Sequence, residues 1–365
     1  MRIRSIYASF GRIMAKNQSA SNTNVAPIRP KGPSQSSSNF RLPKAQLIKM
    51  HDLMVKSRVM EERLIRMYKQ SQGYFWLGGP GEEAFQIPLG MQILKGQGLD
   101  HDYMHFHYRA GPTMITLGMD PMDAMRQMQN TATDPFSGGR NFVSHYSKRE
   151  WNVVPVTSTI ETQYLTAIGT GIAQKKHGGK GITIVTGGDA GTAEGDFASC
   201  LVWSTRPGME LPMLIIVTNN GWGISTDACT QHGEKHIADR GKAFGMKTMT
   251  INGLDVEESW FGLEEAMNYI RKERKPVLLE AKVSRLYGHS SATGANFVGN
   301  EVDPLVEFET KLEAEGILSR QDMDDLRERY TAEMLDMSKR VKEEPMPDPS
   351  TIYDHTFYGQ KGKFF

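Results

Sequence analysis

The sequence has little cysteine, no long apolar run and almost no net charge. Its 365 residues include two cysteines, Cys200 and Cys229, which are too few for a disulfide framework and indicate a reducing compartment. No run of eighteen apolar residues occurs, so no membrane-spanning helix is predicted. The formal net charge of +1 and the lack of a basic patch argue against nucleic-acid binding. The composition favours a soluble globular chain whose 39% hydrophobic content can form one large core or two smaller ones.

Acidic residues are absent from the first 51 positions, which contain nine Arg or Lys and clusters of Ser and Asn. This composition predicts a disordered leader or tail over residues 1–42. It is also typical of a mitochondrial transit peptide. Alternatively, a bacterial chain starts at Met14 and residues 1–13 are an upstream extension. We expect a cytoplasmic protein, with the mitochondrial matrix as the alternative.

The middle of the chain contains a pattern typical of a βαβ unit. Residues 181–186 form a β-branched run bounded by glycines, which predicts a buried parallel strand. Residues 192–205 have apolar positions near helical spacing and early acids, which predicts a crossover helix. A second apolar strand is predicted over 211–217.

An acid and an amide follow the two predicted strands. Asp189 lies in the turn after the first strand, and Asn220 follows the second. In an open parallel sheet, ligands bind beyond the carboxyl ends of the strands. An Asp carboxylate and an Asn carbonyl supply part of an octahedral shell for Mg²⁺, which phosphate oxygens and water usually complete. The pattern therefore predicts a site for a metal-bound diphosphate.

Two other interpretations of this turn stay open. Its glycines could simply make a tight turn into the helix. A dinucleotide site would need Gly-x-Gly-x-x-Gly and an acid at the end of the next strand, where this chain has Thr218, Asn219 and Asn220.

A wider set of residues resembles one enzyme family. Gly188-Asp189-Ala190, 28 further residues and then Asn219-Asn220 resemble the thiamine diphosphate motif Gly-Asp-Gly followed by Asn-Asn. The surrounding sequence, from about residue 58 to about residue 310, resembles the alpha subunit of the thiamine-diphosphate-dependent 2-oxoacid dehydrogenase (decarboxylating) component. Further landmarks in the family's order are Gly81-Glu82-Glu83-Ala84, Tyr108-Arg109, residues 157–163, residues 252–256, and residues 279–281 leading to Gly288-His289-Ser290. Residues 143–150 are more similar to the branched-chain type than to the pyruvate type.

The resemblance implies an α/β fold, the thiamine-diphosphate-binding fold, in which helices flank a parallel sheet. We expect the binding domain over residues 43–303, and a helical C-terminal extension and tail over 304–365. An apolar helical face that begins near Pro43 predicts a helical N-terminal extension as well.

The resemblance also implies which residues bind the charged tail of the cofactor. Asp189, Asn220 and the backbone carbonyl of Trp222 would bind Mg²⁺. The diphosphate contacts would be Tyr108, Arg109 and the amides of Ala190 and Gly191. Gly188 and Thr218 would also bind the cofactor. A guanidinium and a divalent cation match the charge of phosphate oxygens.

The segment 157–163 resembles the part of the branched-chain type that supports the cofactor and holds a structural potassium ion. By that resemblance Ser158 touches the cofactor, and Ile160 is the apolar wedge that keeps it bent. The implied potassium ligands are Thr157, Thr159, Thr162 and Gln163. A hydroxyl-rich turn that caps a helix starting near Gln163 explains the same residues about as well.

The resemblance gives His289 a catalytic role, because the family's histidine at this place reaches the cofactor phosphate and helps to position the acyl acceptor. The chain departs from the family beyond it, with Thr293 and Phe297-Val298 where an Asp and a Tyr-Arg pair are usual. Loop ordering and phosphorylation at Ser290 are therefore in doubt.

Two further points concern Ala190 and a group of three histidines. Ala190 stands where the motif usually has Gly, which is harmless only if the backbone there has a negative φ. His101, His105 and His107 could instead form a zinc cluster, although no Cys or further His follows at a typical closing spacing.

The implied enzyme is an oxidoreductase that needs a second chain. Activation of the cofactor requires a Glu on another domain of similar fold, for which 365 residues leave no room. We therefore expect an α2β2 heterotetramer in which a beta subunit supplies that Glu. Together they would oxidatively decarboxylate a 2-oxoacid, branched-chain or pyruvate, and transfer the acyl group to the lipoyl group of an acyltransferase component. The alternatives are an acetoin dehydrogenase alpha subunit, a non-catalytic scaffold paralog and, more distantly, a nicotinamide enzyme.

Overall fold

The computed structural model describes residues 40–354. Most of the predicted leader (1–39) and the end of the predicted tail (355–365) lie outside the described residues.

Five parallel strands form the central sheet, in the order β1-β2-β3-β7-β6, and a separate two-stranded hairpin pairs β4 with β5. The strands are Tyr103–His105 (β1), Thr183–Gly188 (β2), Met213–Asn219 (β3), Trp222–Gly223 (β4), Thr226–Asp227 (β5), Lys247–Asn252 (β6) and Val277–Lys282 (β7). Every residue of β2 is buried, as expected for an interior strand of a parallel sheet. The predicted α/β class with a parallel sheet is confirmed.

Helices cover both faces of the sheet. They are Lys44–Lys69 (α1), Glu83–Gln92 (α2), Gly111–Leu117 (α3), Pro121–Gln129 (α4), Thr162–His177 (α5), Gly195–Ser204 (α6), Val256–Glu273 (α7), Pro304–Ala314 (α8) and Arg320–Lys342 (α9). Side chains of β3 alternate between two cores, because Leu214 and Ile216 belong to one cluster while Ile215 and Val217 belong to the other. None of the helices within residues 40–354 is both long and apolar enough to span a membrane.

The predicted βαβ unit is present, with shifted boundaries. Both strands start two residues later than predicted, at Thr183 and Met213. The crossover begins as a short 3₁₀ helix, Ala190–Ala193, before α6 starts at Gly195. The turn therefore presents Asp189 before the regular helix begins.

The C-terminal helices share the core of the N-terminal helix. Leu312 of α8 and Met334 of α9 are fully buried in the same cluster as Leu47 and Met54 of α1. The helices predicted at both ends of the chain are present, while the domain division at 303/304 stays a prediction.

A buried ion network connects α1 to the start of α2 and to α8. The guanidinium of Arg58 donates to Glu83 at 2.6 and 3.1 Å and to Asp303 at 2.7 and 3.0 Å. Glu83 also accepts from the amide of Gly81 at 2.7 Å, and Asp303 caps the N-terminus of α8. The carboxylates raise the pKa of Arg58 against the opposing effect of burial, so this cation keeps its charge inside the protein.

We predict that Arg58→Met lowers the free energy of unfolding by about 3–5 kcal/mol, because it leaves the buried carboxylate of Glu83 without its cation. Urea unfolding of the full chain measures the change. Lys272→Met, which removes one half of an exposed pair with Glu273, is the matched control and should change stability by less than about 0.5 kcal/mol. A loss of under about 1 kcal/mol for Arg58→Met would contradict the assignment.

Candidate functional site

A cavity of about 260 Å³ lies where β2 and β3 end. Its wall consists of His107, Tyr108, Arg109, Ile160, Glu161, Gly188, Asp189, Ala190, Gly191, Glu194, Trp222, Gly223, Ile224, Gln231 and His289. Nine of these were predicted as site residues, although they come from segments as far apart in the chain as Tyr108 and His289. The sheet brings them together because the carboxyl ends of parallel strands share one edge.

Asp189 is the buried acid of this cavity. It is 1% exposed, and its Oδ2 atom has no hydrogen-bond partner. Burial raises the pKa of Asp189, while the charge of Arg109 and the amide of Asn220 act in the opposite direction. A buried carboxylate oxygen without a partner is costly unless a cation binds it, so this residue fits a metal ligand.

Asn220 and Trp222 follow the neighbouring strand. Gly188 at the end of β2 is level with Thr218 in β3, which places the two strand ends side by side. The side-chain oxygen of Asn220 accepts from the amide of Trp222 at 3.1 Å, while its Nδ2 has no partner. The Asn220 oxygen keeps a second lone pair, so the donor set of one carboxylate, one amide oxygen and a carbonyl fits Mg²⁺.

Ala190 adopts an ordinary backbone conformation. It lies in the 3₁₀ helix after Asp189 and is not among the described non-glycine residues with positive φ. Alanine in place of the usual glycine therefore causes no backbone strain. Its methyl group lies against Gly223, where an added Cβ would come within 2.6 Å.

Arg109 is the buried cation of the cavity. It lies 3.9 Å from Glu82 and over the Tyr108 ring at 5.0 Å, and its Nη2 is 3.4 Å from Nδ1 of His289. Burial opposes its charge, but Tyr108, Glu82 and Asp189 outweigh burial and raise the pKa of Arg109. Its Nε donor has no partner, so the guanidinium can still bind an anion.

His289 is half-buried beside the Arg109 guanidinium and is neutral. Burial, Arg109 and Arg285 together lower the pKa of His289 to about 4. Its ring meets that of Tyr108 edge to face at 6.0 Å. The surrounding segment is held by backbone hydrogen bonds, from Gly288 to Asn296 and from Ser291 to Trp76.

The segment 157–163 leads into the start of α5 beside the cavity. Thr157 Oγ1 donates to the carbonyl of Thr159 at 3.1 Å and lies 3.3 Å from Oε1 of Gln163. Thr162 is the first residue of α5. Three of the four predicted potassium ligands therefore converge, and the contacts are equally those of a turn that precedes a helix.

Ser158 does not line the cavity and instead contacts a histidine. The Nδ1 atom of His145 faces the carbonyl of Val143 at 3.0 Å and therefore carries the proton. The hydroxyl of Ser158 donates to the other ring nitrogen at 2.8 Å. Ile160 lines the cavity and is 45% exposed, which leaves it available to a ligand or a partner.

The three histidines near β1 have different surroundings. His101 lies beside the carbonyl of Gln97, and His105 contacts the hydroxyls of Thr166 and Thr170. His107 packs against Tyr108 at the cavity, with ring centroids 3.8 Å apart. Within residues 40–354, no three His, Cys, Asp or Glu side chains are arranged to hold a metal ion.

Sequence reasoning missed two buried carboxyls at the site. Glu82 lies against Arg109, Gln86 and Thr218 beside a second, very small cavity. Glu161 is 1% exposed and lines the main cavity with φ +68°. Burial raises the pKa of Glu82 to about 7 and of Glu161 to about 8. Glu82 was within a quoted motif, but nothing in the local sequence indicates that Glu161 turns inward.

Comparison with known proteins identifies similar chains. A protein-family model described as the dehydrogenase E1 component matches residues 51–350. The 2-oxoisovalerate dehydrogenase subunit alpha 2, mitochondrial, of Arabidopsis thaliana is 26% identical over 319 residues, which cover 85% of this chain and 66% of that protein. The 2-oxoisovalerate dehydrogenase subunit alpha of Bacillus subtilis is 25% identical over 320 residues, which cover 86% of this chain and 95% of that protein. The mitochondrial 2-oxoisovalerate dehydrogenase subunit alpha of Homo sapiens is 23% identical over 326 residues, which cover 87% of this chain and 71% of that protein.

We predict that Glu82→Gln changes the pH dependence of stability. The folded pKa of Glu82, about 7, exceeds its ordinary value of 4.5, so the folded chain holds an extra proton between these values. The wild type therefore loses stability as pH rises from 4.5 to 7, and the glutamine variant lacks this loss. Relative to the wild type, the variant should gain up to about 3 kcal/mol in free energy of unfolding between pH 5 and pH 8. Parallel stability curves across this range would contradict the raised pKa.

Proposed function

Because the chain belongs to the dehydrogenase E1 component family, we propose that it is the alpha subunit of a thiamine-diphosphate-dependent 2-oxoacid dehydrogenase. The observation that carries the proposal is the buried, unpartnered Oδ2 of Asp189 at the edge of a parallel sheet, beside a buried guanidinium with a free donor. Such a pair suits a divalent cation and the anion that the cation carries. A nicotinamide dinucleotide site would instead need an acid where β3 ends in Thr218 and Asn219.

In this proposal the chain holds the charged tail of the cofactor. Asp189, Asn220 and the carbonyl of Trp222 bind Mg²⁺. The diphosphate is bound by Tyr108, Arg109, Thr218 and the turn 188–191. Thiamine diphosphate, when bound, supplies the electron sink for decarboxylation.

The other predicted residues shape and close the site. Ile160, exposed at the cavity, supports the bent cofactor. Ser158 contacts the cofactor when its hydroxyl breaks its hydrogen bond to His145 or makes a second one. His289 is neutral at physiological pH, so its ring can accept or donate a hydrogen bond without adding charge beside Arg109. We assign it the positioning of the acyl acceptor. Potassium binding by Thr157, Thr159, Thr162 and Gln163 stays a prediction.

The proposed enzyme needs a beta subunit. Ile160 and Ile224 line the cavity yet are 45% and 54% exposed, which is typical of a surface that another chain covers. An α2β2 assembly would cover them and bring the activating Glu to the cofactor. The acyl acceptor would be the lipoyl group of an acyltransferase component.

The proposed substrate class is based on the names of the relatives. Each relative compared above is named as a 2-oxoisovalerate dehydrogenase subunit, so we favour a branched-chain 2-oxoacid over pyruvate. The cytoplasmic location stays a prediction, because a bacterial relative and relatives named as mitochondrial match at similar identity.

We predict that the chain binds thiamine diphosphate only with Mg²⁺, and that Asp189→Asn weakens this binding about 100-fold or more, because the variant loses the charged metal ligand. Quenching of tryptophan fluorescence or calorimetry measures the affinity. Asp196→Asn makes the same chemical change in the first turn of α6, outside the cavity wall, and is the control that should keep wild-type affinity. Equal affinity with and without Mg²⁺, or a response to a nicotinamide nucleotide instead, would overturn the proposal.

We predict that the purified chain alone does not decarboxylate 2-oxoacids, and that co-expression with a beta-type partner produces activity. A panel of pyruvate, branched-chain 2-oxoacids and acetoin identifies the substrate, with reduction of a lipoyl acceptor as the readout. Normal activity of the single chain would contradict partner dependence. Activity on acetoin alone would favour the acetoin dehydrogenase alternative, and cofactor binding without any activity would favour a scaffold.

A further inference from the structure

Glu161 has a backbone conformation that its residue type disfavours. It is the N-cap of α5 with φ +68° and ψ −1°, in the left-handed region that glycine adopts most readily. Its side chain makes no capping hydrogen bond to that helix. A buried glutamate in this conformation therefore does something other than starting α5.

The carboxyl of Glu161 reaches the turn after β2. The amide of Gly188 faces this carboxyl and favours its charged form, and Gln163 Nε2 lies 3.4 Å from its Oε2. It also lines the same cavity as Asp189. The side chain thus connects the start of α5 to the turn that carries the candidate metal ligand.

Two glycines of the turn leave the space that this carboxyl fills. A Cβ added to Gly187 would overlap Oε2 of Glu161, and one added to Gly191 would overlap Oε1. Neither glycine has a positive φ, so the backbone conformation does not require glycine at these positions. At Gly191 the Glu161 carboxyl alone takes up the space, and at Gly187 the Tyr164 side chain shares it with that carboxyl.

We propose that Glu161 is a positioning residue that fixes the turn 187–191, so that the Asp189 carboxylate and the amides of Ala190 and Gly191 face the cofactor tail. The role of the cofactor rests on the function proposed above, while the contact with the turn does not. Glu161 acts through Gly188 and the two flanking glycines and needs no charge of its own for this role. Glutamine has nearly the same volume and keeps an acceptor oxygen, so it is a suitable neutral substitute.

Three variants of the full chain test this. Glu161→Gln keeps the shape and the acceptor oxygen, and should keep cofactor affinity within about threefold of wild type. Glu161→Gly removes the carboxyl but relieves the backbone strain at φ +68°, so the thermal midpoint should stay equal or rise. Its affinity for thiamine diphosphate with Mg²⁺ should nevertheless fall at least about tenfold, because the turn loses its support. Gly191→Ala should also weaken binding, and should cost less in the Glu161→Gly background, where the space is free.

Hydrogen exchange separates this inference from the proposed function. In the cofactor-free chain, the Gly188 amide should exchange at least about tenfold faster in Glu161→Gly than in the wild type or in Glu161→Gln. Unchanged exchange in Glu161→Gly would overturn the inference, whether or not the wild type binds the cofactor. So would equal loss of affinity in the glutamine and glycine variants, since charge rather than position would then matter. If the wild type does not bind thiamine diphosphate while exchange behaves as expected, the proposed function fails and the support of the turn stands.

Discussion

The charge of Arg109 is the constraint around which the cavity is organised. This guanidinium is 5% exposed, and the carboxyls of Glu82, Asp189 and Glu161 all contribute to its electrostatic environment. Burial raises the pKa of each of these acids, because a charged carboxyl is poorly solvated there, while the charge of Arg109 acts in the opposite direction on all three. The protonation of the acids therefore depends on what else the cavity holds. A divalent cation would stabilise Asp189 as an anion and leave Arg109 available to the anion that arrives with it.

The parallel pairing of β2 with β3 determines where the residues after each strand lie. Pairing of Gly188 with Thr218 sets the ends of β2 and β3 level, so that the turn after one strand faces the chain after the other. Both strands are buried throughout or nearly so, and a one-residue slip would move their side chains to the wrong core. The positions of Asp189 and Asn220 thus follow from the packing of the two cores. This explains why these two residues could be predicted from continuous apolar runs and the polar residues that end them.

Other parts of the structure could not be predicted in this way, because they depend on contacts between distant segments. Arg58 joins Glu83 and Asp303, which are 25 and 245 positions away, and an arginine on a long helix has no local feature that distinguishes a buried one from a solvated one. The bond between Ser158 and His145 likewise depends on how two loops meet. Helix and strand types were predicted correctly where periodicity was long, as in α1. The predicted start of the crossover helix was shifted, because a 3₁₀ segment of 4 residues is too short for its apolar period to be distinguished from that of a regular helix.

Within the turn 187–191, different physical causes decide at which positions glycine is required. At position 190 the negative φ lets alanine replace glycine, and its methyl group requires space at Gly223 instead. At positions 187 and 191 the backbone would accept alanine, but the carboxyl of Glu161 occupies the space, together with the Tyr164 side chain at position 187. The turn therefore contains two separate sets of packed neighbours, Ala190 with Gly223 and Glu161 with the two flanking glycines. A glycine in this motif is needed for conformation only where φ is positive, and elsewhere the residue that packs against it decides whether it can change.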